Sequence, residues 1–215
     1  MDPSSATNRA PGELTFVAET QLPTLRGSFR VRAYRDDSGT EPLAIVAGEI
    51  EGRTDVLVRV HDECLTSEVL GSLRCDCREQ LESSLDRIRE EGGVVIYLRQ
   101  EGRGIGLANK IAAYALQEQG LDTVDANLAL GLPDDARQYE AAAAILADLQ
   151  LTEIRLLTNN PRKIELLTEL GVKVRAREPL IIAANPHSRG YIATKRARMG
   201  HLGTIPLDPL AAASK

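Results

Sequence analysis

The sequence predicts an α+β fold in a single domain: an N-terminal antiparallel β-rich part followed by a mixed α/β part with several helices. Three observations predict it. The first third carries short alternating or β-branched runs, the apolar spacing lengthens to a helical period from residue 78, and no repeat or long linker interrupts the 215 residues. At 43% hydrophobic and 27% charged residues, a chain of this length can bury a core of its own.

Residues 1–12 are polar, contain proline and lack a period, so they are expected to form a flexible N-terminus, with the folded domain over 13–203 and a flexible tail over 204–215. LTFVAET, SFRVRAYR, LAIVAGEI and DVLVRVH, separated by Pro, Gly and Asp turn signals, read as antiparallel strands. In EQLESSLDRIREEGG, Leu81, Leu85 and Ile88 share one helical face and Gly92 closes the helix. VVIYLR is a buried strand. IGLANKIAAYALQEQG and DDARQYEAAAAILADLQ are helices, the second capped by Asp134 or Asp135. EIRLL is a strand leading to a helix with Asn160 as cap, Pro161 as first residue and Gly171 at its end. KVRAREPLII is another strand and GYIATKRARMGHL a basic final helix.

A net charge of −5 repels polyanions, and 3% aromatic residues without tryptophan leave few platforms for stacking bases, so no nucleic-acid partner is expected. No apolar run approaches the roughly 18 residues of a membrane span, and MDPSSATNRAPGEL lacks the layout of a signal peptide. No membrane partner and a cytoplasmic location are therefore expected. A small anion remains possible, because local basic groups can hold it.

All three cysteines, Cys64, Cys75 and Cys77, fall in one C-x10-C-x-C window. Their odd number in a reducing compartment argues against a disulfide framework and for metal binding or reactivity. On a strand or its end, Cys75 and Cys77 would point the same way and could reach one ion, with Asp76 facing away. Three thiolates favour zinc over magnesium or calcium. A structural zinc is closed by four protein ligands, whereas a catalytic one keeps a position open. His61, three residues before Cys64, could close a Cys3His site, so spacing alone leaves both readings open. Three buried free thiols without a metal would have no reason to cluster.

Four further stretches bear on anion binding. RVHDE, residues 59–63, carries Arg59 and Glu63 to the first thiol, or is a solvated ion pair at a strand end. RQEGRGIGLANK, 99–110, is a glycine-punctuated turn where Arg99, Arg103, Lys110 and backbone N–H groups could face an anion, though it matches neither the Walker nor the dinucleotide pattern and could be purely structural. In TNNPRK, a capped helix start meets Thr158 and Lys163, an anion site or simply a well-capped helix. Asp135 and Arg137, two apart near a helix start, point in different directions unless the backbone is irregular.

Taken together, VHDECLTSEVLGSLRCDC, QEGRGIGLANKIAAYALQEQG, TVDANLALG with DDAR, LLTNNPRK and NPHSRGYIATKRARMGHL resemble the GTP cyclohydrolase II family, from about residue 15 to 202. The resemblance implies that Cys64, Cys75 and Cys77 hold a catalytic Zn2+ with water in the remaining position, and that His61 is not a ligand. It implies attack on C8 of guanine by zinc-activated water, ring opening, release of formate, and cleavage between the α- and β-phosphates to give pyrophosphate. The product would be 2,5-diamino-6-(5-phosphoribosylamino)pyrimidin-4(3H)-one, in the first committed step of riboflavin biosynthesis.

The catalytic residues so implied are Asp135, Arg137 and Tyr114. Arg137 would attack the α-phosphorus with Asp135 as proton acceptor, although a guanidinium is a poor nucleophile and charge stabilisation is its conservative role. Tyr114 would exchange a proton with the opening ring, its structural reading being a packed helix residue. GTP contacts carry over to Arg59, Val60, His61, Asp62, Glu63 and Gln80. They continue through Glu101, Gly102, Arg103, Thr123, Thr158 and Lys163, with Glu101 accepting from the guanine N1–H and amino group. Mg2+ on the triphosphate and a homodimer are implied as well. A paralogue that stops at the formylated ring-opened product, or a noncatalytic GTP-binding module with a closed zinc, are the competing readings. The sequence departs from the family pattern at Arg78, where glycine is usual, at Gln150, where glycine is common at a helix end, and at Ser188 and Gly190.

Overall fold

The computed structural model describes residues 14–133 and 135–189. The basic helix expected over 190–202, Gly190, Asp134 and both expected termini lie outside the described residues. The elements run β1 (Thr15–Thr24), β2 (Gly27–Arg35), β3 (Leu43–Ala47), β4 (Val56–Asp62), α1 (Leu65–Glu68), α2 (Cys77–Glu91) and β5 (Gly93–Leu98). A 3-10 turn (Glu101–Gly104) follows, then α3 (Leu107–Glu118), α4 (Thr123–Ala129), α5 (Glu140–Asp148), β6 (Glu153–Leu157), α6 (Pro161–Glu169) and β7 (Lys173–Glu178). The strands form one mixed sheet in the order β1-β2-β3-β5-β4-β6-β7. The α+β class expected from the sequence is the one found.

β1, β2, β3 and β5 pair antiparallel, while β4 runs parallel to both β5 and β6, and β7 continues the parallel half. DVLVRVH is thus not the antiparallel strand the alternation suggested. Arg59 and His61, which produce that alternation, are both buried, so β4 is covered on two faces like the central strand of a parallel sheet.

Each face has its own cover. α5 and α6 bring Ile145, Leu146, Leu149 and Leu167 onto Val58, Val60, Ile96, Ile154 and Leu156. On the other face, Ile88 of α2, with Leu81 and Leu85 beside it, packs on Leu57, Val95, Leu157 and Phe29. Fully burying each such side chain stabilises the fold by about 1.5–3 kcal/mol. The faces follow from handedness: β4 to β5 and β5 to β6 step in opposite directions, so right-handed crossovers put their helices on opposite sides. Between β4 and β6 the outgoing connections therefore diverge and leave a crevice at the strands' carboxyl ends. Among the described residues no helix is long and apolar enough to cross a membrane.

Helix ends largely obey local rules. Gly92 closes α2 at φ 79, and Asn160 caps α6 by accepting from Arg162 N. α5, however, starts at Glu140 rather than at Asp134 or Asp135, because the preceding residues are drawn into the crevice by contacts described below. Its far end is a Schellman turn: Gln150 N donates to Ala147 O and Leu151 N to Leu146 O. α6 ends the same way with Gly171 in the left-handed position, where α5 has Gln150 at φ 56. A left-handed L-residue costs about 1–2 kcal/mol. Gln150→Gly is therefore expected to raise the unfolding free energy by about 1 kcal/mol, read in urea melts as a higher midpoint at unchanged slope.

Candidate active site

The crevice is a cleft with about 1040 Å³ of empty space, its solvent-facing mouth included, sufficient for a nucleotide. Cys64 precedes α1, Cys75 lies in the loop before α2, and Cys77 is the first residue of α2. The pair Cys75 and Cys77 thus sits at a loop-to-helix junction rather than on a strand. Asp76, at the cap of α2, accepts from Gln80 Nε2 at 2.7 Å. The three sulfurs nevertheless lie within 4.8 Å of one another, and Cys64 and Cys75 Sγ are 3.6 Å apart. Tetrahedral zinc with Zn–S bonds of about 2.3 Å sets sulfurs about 3.8 Å apart, so the trio fits such an ion.

No His, Asp or Glu joins the trio among the described residues. His61 is turned to Glu68, with Nε2 2.9 Å from its Oε1, and its ring stacks on Tyr97. Burial, opposed by that carboxylate, holds the imidazole below its usual range, and so neutral. Glu68 also accepts from Cys64 N at 2.9 Å and from the Tyr97 hydroxyl at 2.6 Å, which fixes the first thiol's backbone. Sequence reasoning missed this clamp; its only local signal is a carboxylate one turn beyond a helix cap.

Beside the sulfurs lies a network of buried charges. Arg59 donates to Leu157 O and to Gln80 Oε1, and its buried Nε has no hydrogen-bond partner among the described residues. Asp62 Oδ2 accepts from Lys163 Nζ at 3.0 Å and Arg137 Nη1 at 3.1 Å, and Lys163 also donates to Val60 O. Burial pushes the Asp62 pKa up, but Lys163 and Arg137 outweigh it and bring it down to about 2. Burial likewise lowers the Lys163 ammonium, to about 8 in spite of Asp62, with Arg59 and Arg137 adding to the fall.

Asp135 and Arg137 do meet, on an irregular backbone. Arg137 Nε and Nη2 donate to the two oxygens of Asp135 at 2.9 and 2.6 Å. Two neighbours hold the segment. Gln100 exchanges side-chain hydrogen bonds of 2.7 Å with the backbone of Gln138, and Ala136 N donates to Arg103 O. Gly102, Arg103 and Gly104 all have positive φ, and a Cβ on Gly104 would lie 2.8 Å from Ala136 O. Only glycine permits that approach. The role of Gln100, next to a glycine-rich turn, was not legible in its residue type.

The remaining expected residues fall as follows. Tyr114 lines the cleft beneath the Arg74 guanidinium, 4.8 Å from its ring. Glu101 accepts from Leu65 N, Gly102 N and Lys110 Nζ. Thr158 is buried at the end of β6, its Oγ1 accepting from Asn160 N. Glu63 and Arg103 line the cleft, and Thr123 begins α4, which carries the buried Asn127 to it. Arg99 is turned to solvent near Glu63, and Arg78 pairs with Glu82 along α2 instead of facing the sulfurs.

Comparison with known proteins gives this arrangement its family. The profile described as GTP cyclohydrolase II matches residues 15–179. The chain belongs to the GTP cyclohydrolase II family. It is 49% identical over 190 residues to the GTP cyclohydrolase-2 of Picrophilus torridus, covering 88% of this chain and 99% of that protein. To the GTP cyclohydrolase-2 of Salmonella typhimurium it is 52% identical over 192 residues, covering 88% and 98%. Among solved structures, a two-domain 3,4-dihydroxy-2-butanone 4-phosphate synthase from A. baumannii aligns at 20% identity with a TM-score of 0.46, over 77% of this chain and 40% of that one.

For this member of the GTP cyclohydrolase II family, the geometry separates the thiols from His61. His61→Ala is expected to keep one metal ion per folded chain, while Cys75→Ser loses most of it. Metal analysis after gel filtration, with circular dichroism to confirm folding, checks both.

Proposed function

We propose that the protein is a zinc-dependent GTP cyclohydrolase II that converts GTP to 2,5-diamino-6-(5-phosphoribosylamino)pyrimidin-4(3H)-one, formate and pyrophosphate in the first committed step of riboflavin biosynthesis. One observation carries the reading. Cys64 and Cys77 open into the same cleft as Arg59, Arg137 and Lys163, so a soft metal trio and a polyanion site share one cavity. Membership of the family supports the same chemistry.

Held by Cys64, Cys75 and Cys77, zinc would supply a Lewis acid able to make water nucleophilic near neutral pH, the chemistry that attack on C8 of guanine requires. The chain's own groups bind and orient. Tyr114, at the cleft wall, has a hydroxyl able to exchange a proton with the opening ring. Burial works against the charge of Arg137, yet Asp135 and Asp62 prevail and raise its pKa well above the ordinary value. A guanidinium held so firmly is a poor nucleophile, so its role is to stabilise charge on the α-phosphate, with Asp135 fixing its fork. Lys163 and the unsatisfied Nε of Arg59 supply further donors for phosphate oxygens. Mg2+ would accompany the triphosphate and offset part of its charge, and the working form is a cytoplasmic homodimer.

Incubation of the protein with GTP, zinc and magnesium is expected to release formate and pyrophosphate in equal amounts. Pyrophosphate without formate would point to a formylated product, and GTP binding without turnover would reject catalysis. Arg137→Gln is expected to lower kcat by about 100- to 1000-fold.

A pH dependence follows from Lys163. A bound polyanion favours its ammonium, so binding takes up a proton once the free site begins to lose one near pH 8. The KM for GTP should therefore climb as pH rises through about 8, with kcat less affected. In Lys163→Arg, whose charge persists, the KM profile between pH 7 and 9.5 should be flatter.

A further inference from the structure

A buried ammonium reaches the sulfur of Cys64. Lys110 Nζ lies 3.1 Å from Cys64 Sγ and also donates to Thr66 Oγ1 and Glu101 Oε1, both at 2.8 Å. These contacts use all three ammonium protons. Because Thr66 accepts from Lys110, its own hydroxyl proton is available to Cys64 Sγ, 3.6 Å away. The side chains of Lys110 and Glu101 are only 12% and 9% exposed, so the ammonium acts on the sulfur with little solvent screening. Glu101 aims it, held in turn by the backbone N–H groups of Leu65 and Gly102.

Three thiolates donate heavily to a divalent ion and blunt its acidity, and a charged hydrogen bond on one sulfur withdraws part of that density. We propose that Lys110 is a positioning residue that acts through Cys64: its hydrogen bond to Sγ draws charge off the sulfur set and keeps the ion electrophilic. The inference rests on the zinc reading of the site. The anion that Lys110 meets is then a thiolate of the protein rather than the triphosphate.

Cobalt(II)-substituted protein tests this, because the sulfur-to-cobalt charge-transfer band reports electron density on sulfur. Lys110→Gln is expected to move the band to longer wavelength at one cobalt per chain, and Lys110→Arg to return it toward the wild-type position. Thr66→Val, which removes only a neutral donor, should shift it less and in the same direction. An unmoved band in Lys110→Gln together with weakened GTP binding would overturn the proposal and assign Lys110 to the phosphates. If Lys110→Gln fails to take up cobalt, Glu101→Gln, which releases the ammonium from its aim at Cys64, decides: a red shift supports the proposal, and an unmoved band overturns it. Wild-type protein that shows the band but releases no formate from GTP would count against the proposed function, a separate outcome from any of these.

Discussion

The Asp62 carboxylate is the tie on which the cleft depends. Its Oδ2 accepts from Lys163 of α6 and from Arg137 of the irregular segment before α5, which draws two distant stretches of chain onto the end of β4. All three side chains are at least 88% withdrawn from solvent, the most exposed being 12%. Loss of one member of such a buried set typically costs about 3–5 kcal/mol, against about 0.3–0.5 kcal/mol for a helical surface pair like Arg78 with Glu82. Because the folded pKa of Asp62 is depressed from 3.8 to about 2, its contribution to stability is complete above the unfolded value and disappears as pH falls through about 2. The network is thus intact wherever an enzyme of neutral pH operates.

That tie also reconciles an acidic protein with an anionic ligand. The chain carries a net charge of −5, yet its cleft gathers Arg59, Arg103, Lys110, Arg137 and Lys163 against Asp62, Glu63 and Glu101. Exposed charges more than about 8–10 Å away are screened at physiological salt, whereas groups inside the cleft are not. Long polyanions meet the net charge; a small one that enters the cleft meets the local cations. Gathering those cations is itself unfavourable: burial lowers the pKa of both Arg59 and Lys163, and at Lys163 the neighbouring Arg59 and Arg137 add to the fall.

What the sequence disclosed follows the range of the interaction responsible. Asn160 as cap, Gly92 and Gly171 as stops and the apolar face of α2 depend on neighbours within a turn or two, and each was legible. The parallel pairing of β4 was not, because alternation reports burial only when the alternate residues are wet, and Arg59 and His61 are buried. Nor was the start of α5. DDARQY has helical composition, but Asp62 and Gln100, 75 and 38 residues distant from their partners there, hold it irregular. The cysteine window announced a trio of thiols able to converge on an ion, while the helix that begins at Cys77 replaced the expected strand geometry by another that also converges.

Glu101 shows how a residue can be singled out by resemblance and still need its role argued from geometry. A carboxylate offers about four lone-pair positions. Gly102 N and Lys110 Nζ occupy those on Oε1, and Leu65 N takes one on Oε2. A guanine edge presenting two donors would therefore find one position vacant, unless a contact within the protein were released. Releasing Lys110 would free it from its aim at Cys64, and releasing Leu65 N would loosen the start of α1 beside the same thiol. Base recognition through Glu101, on the proposed function, would consequently be coupled to the thiol trio: the carboxylate that would read guanine is the one that orients the ammonium on the sulfur.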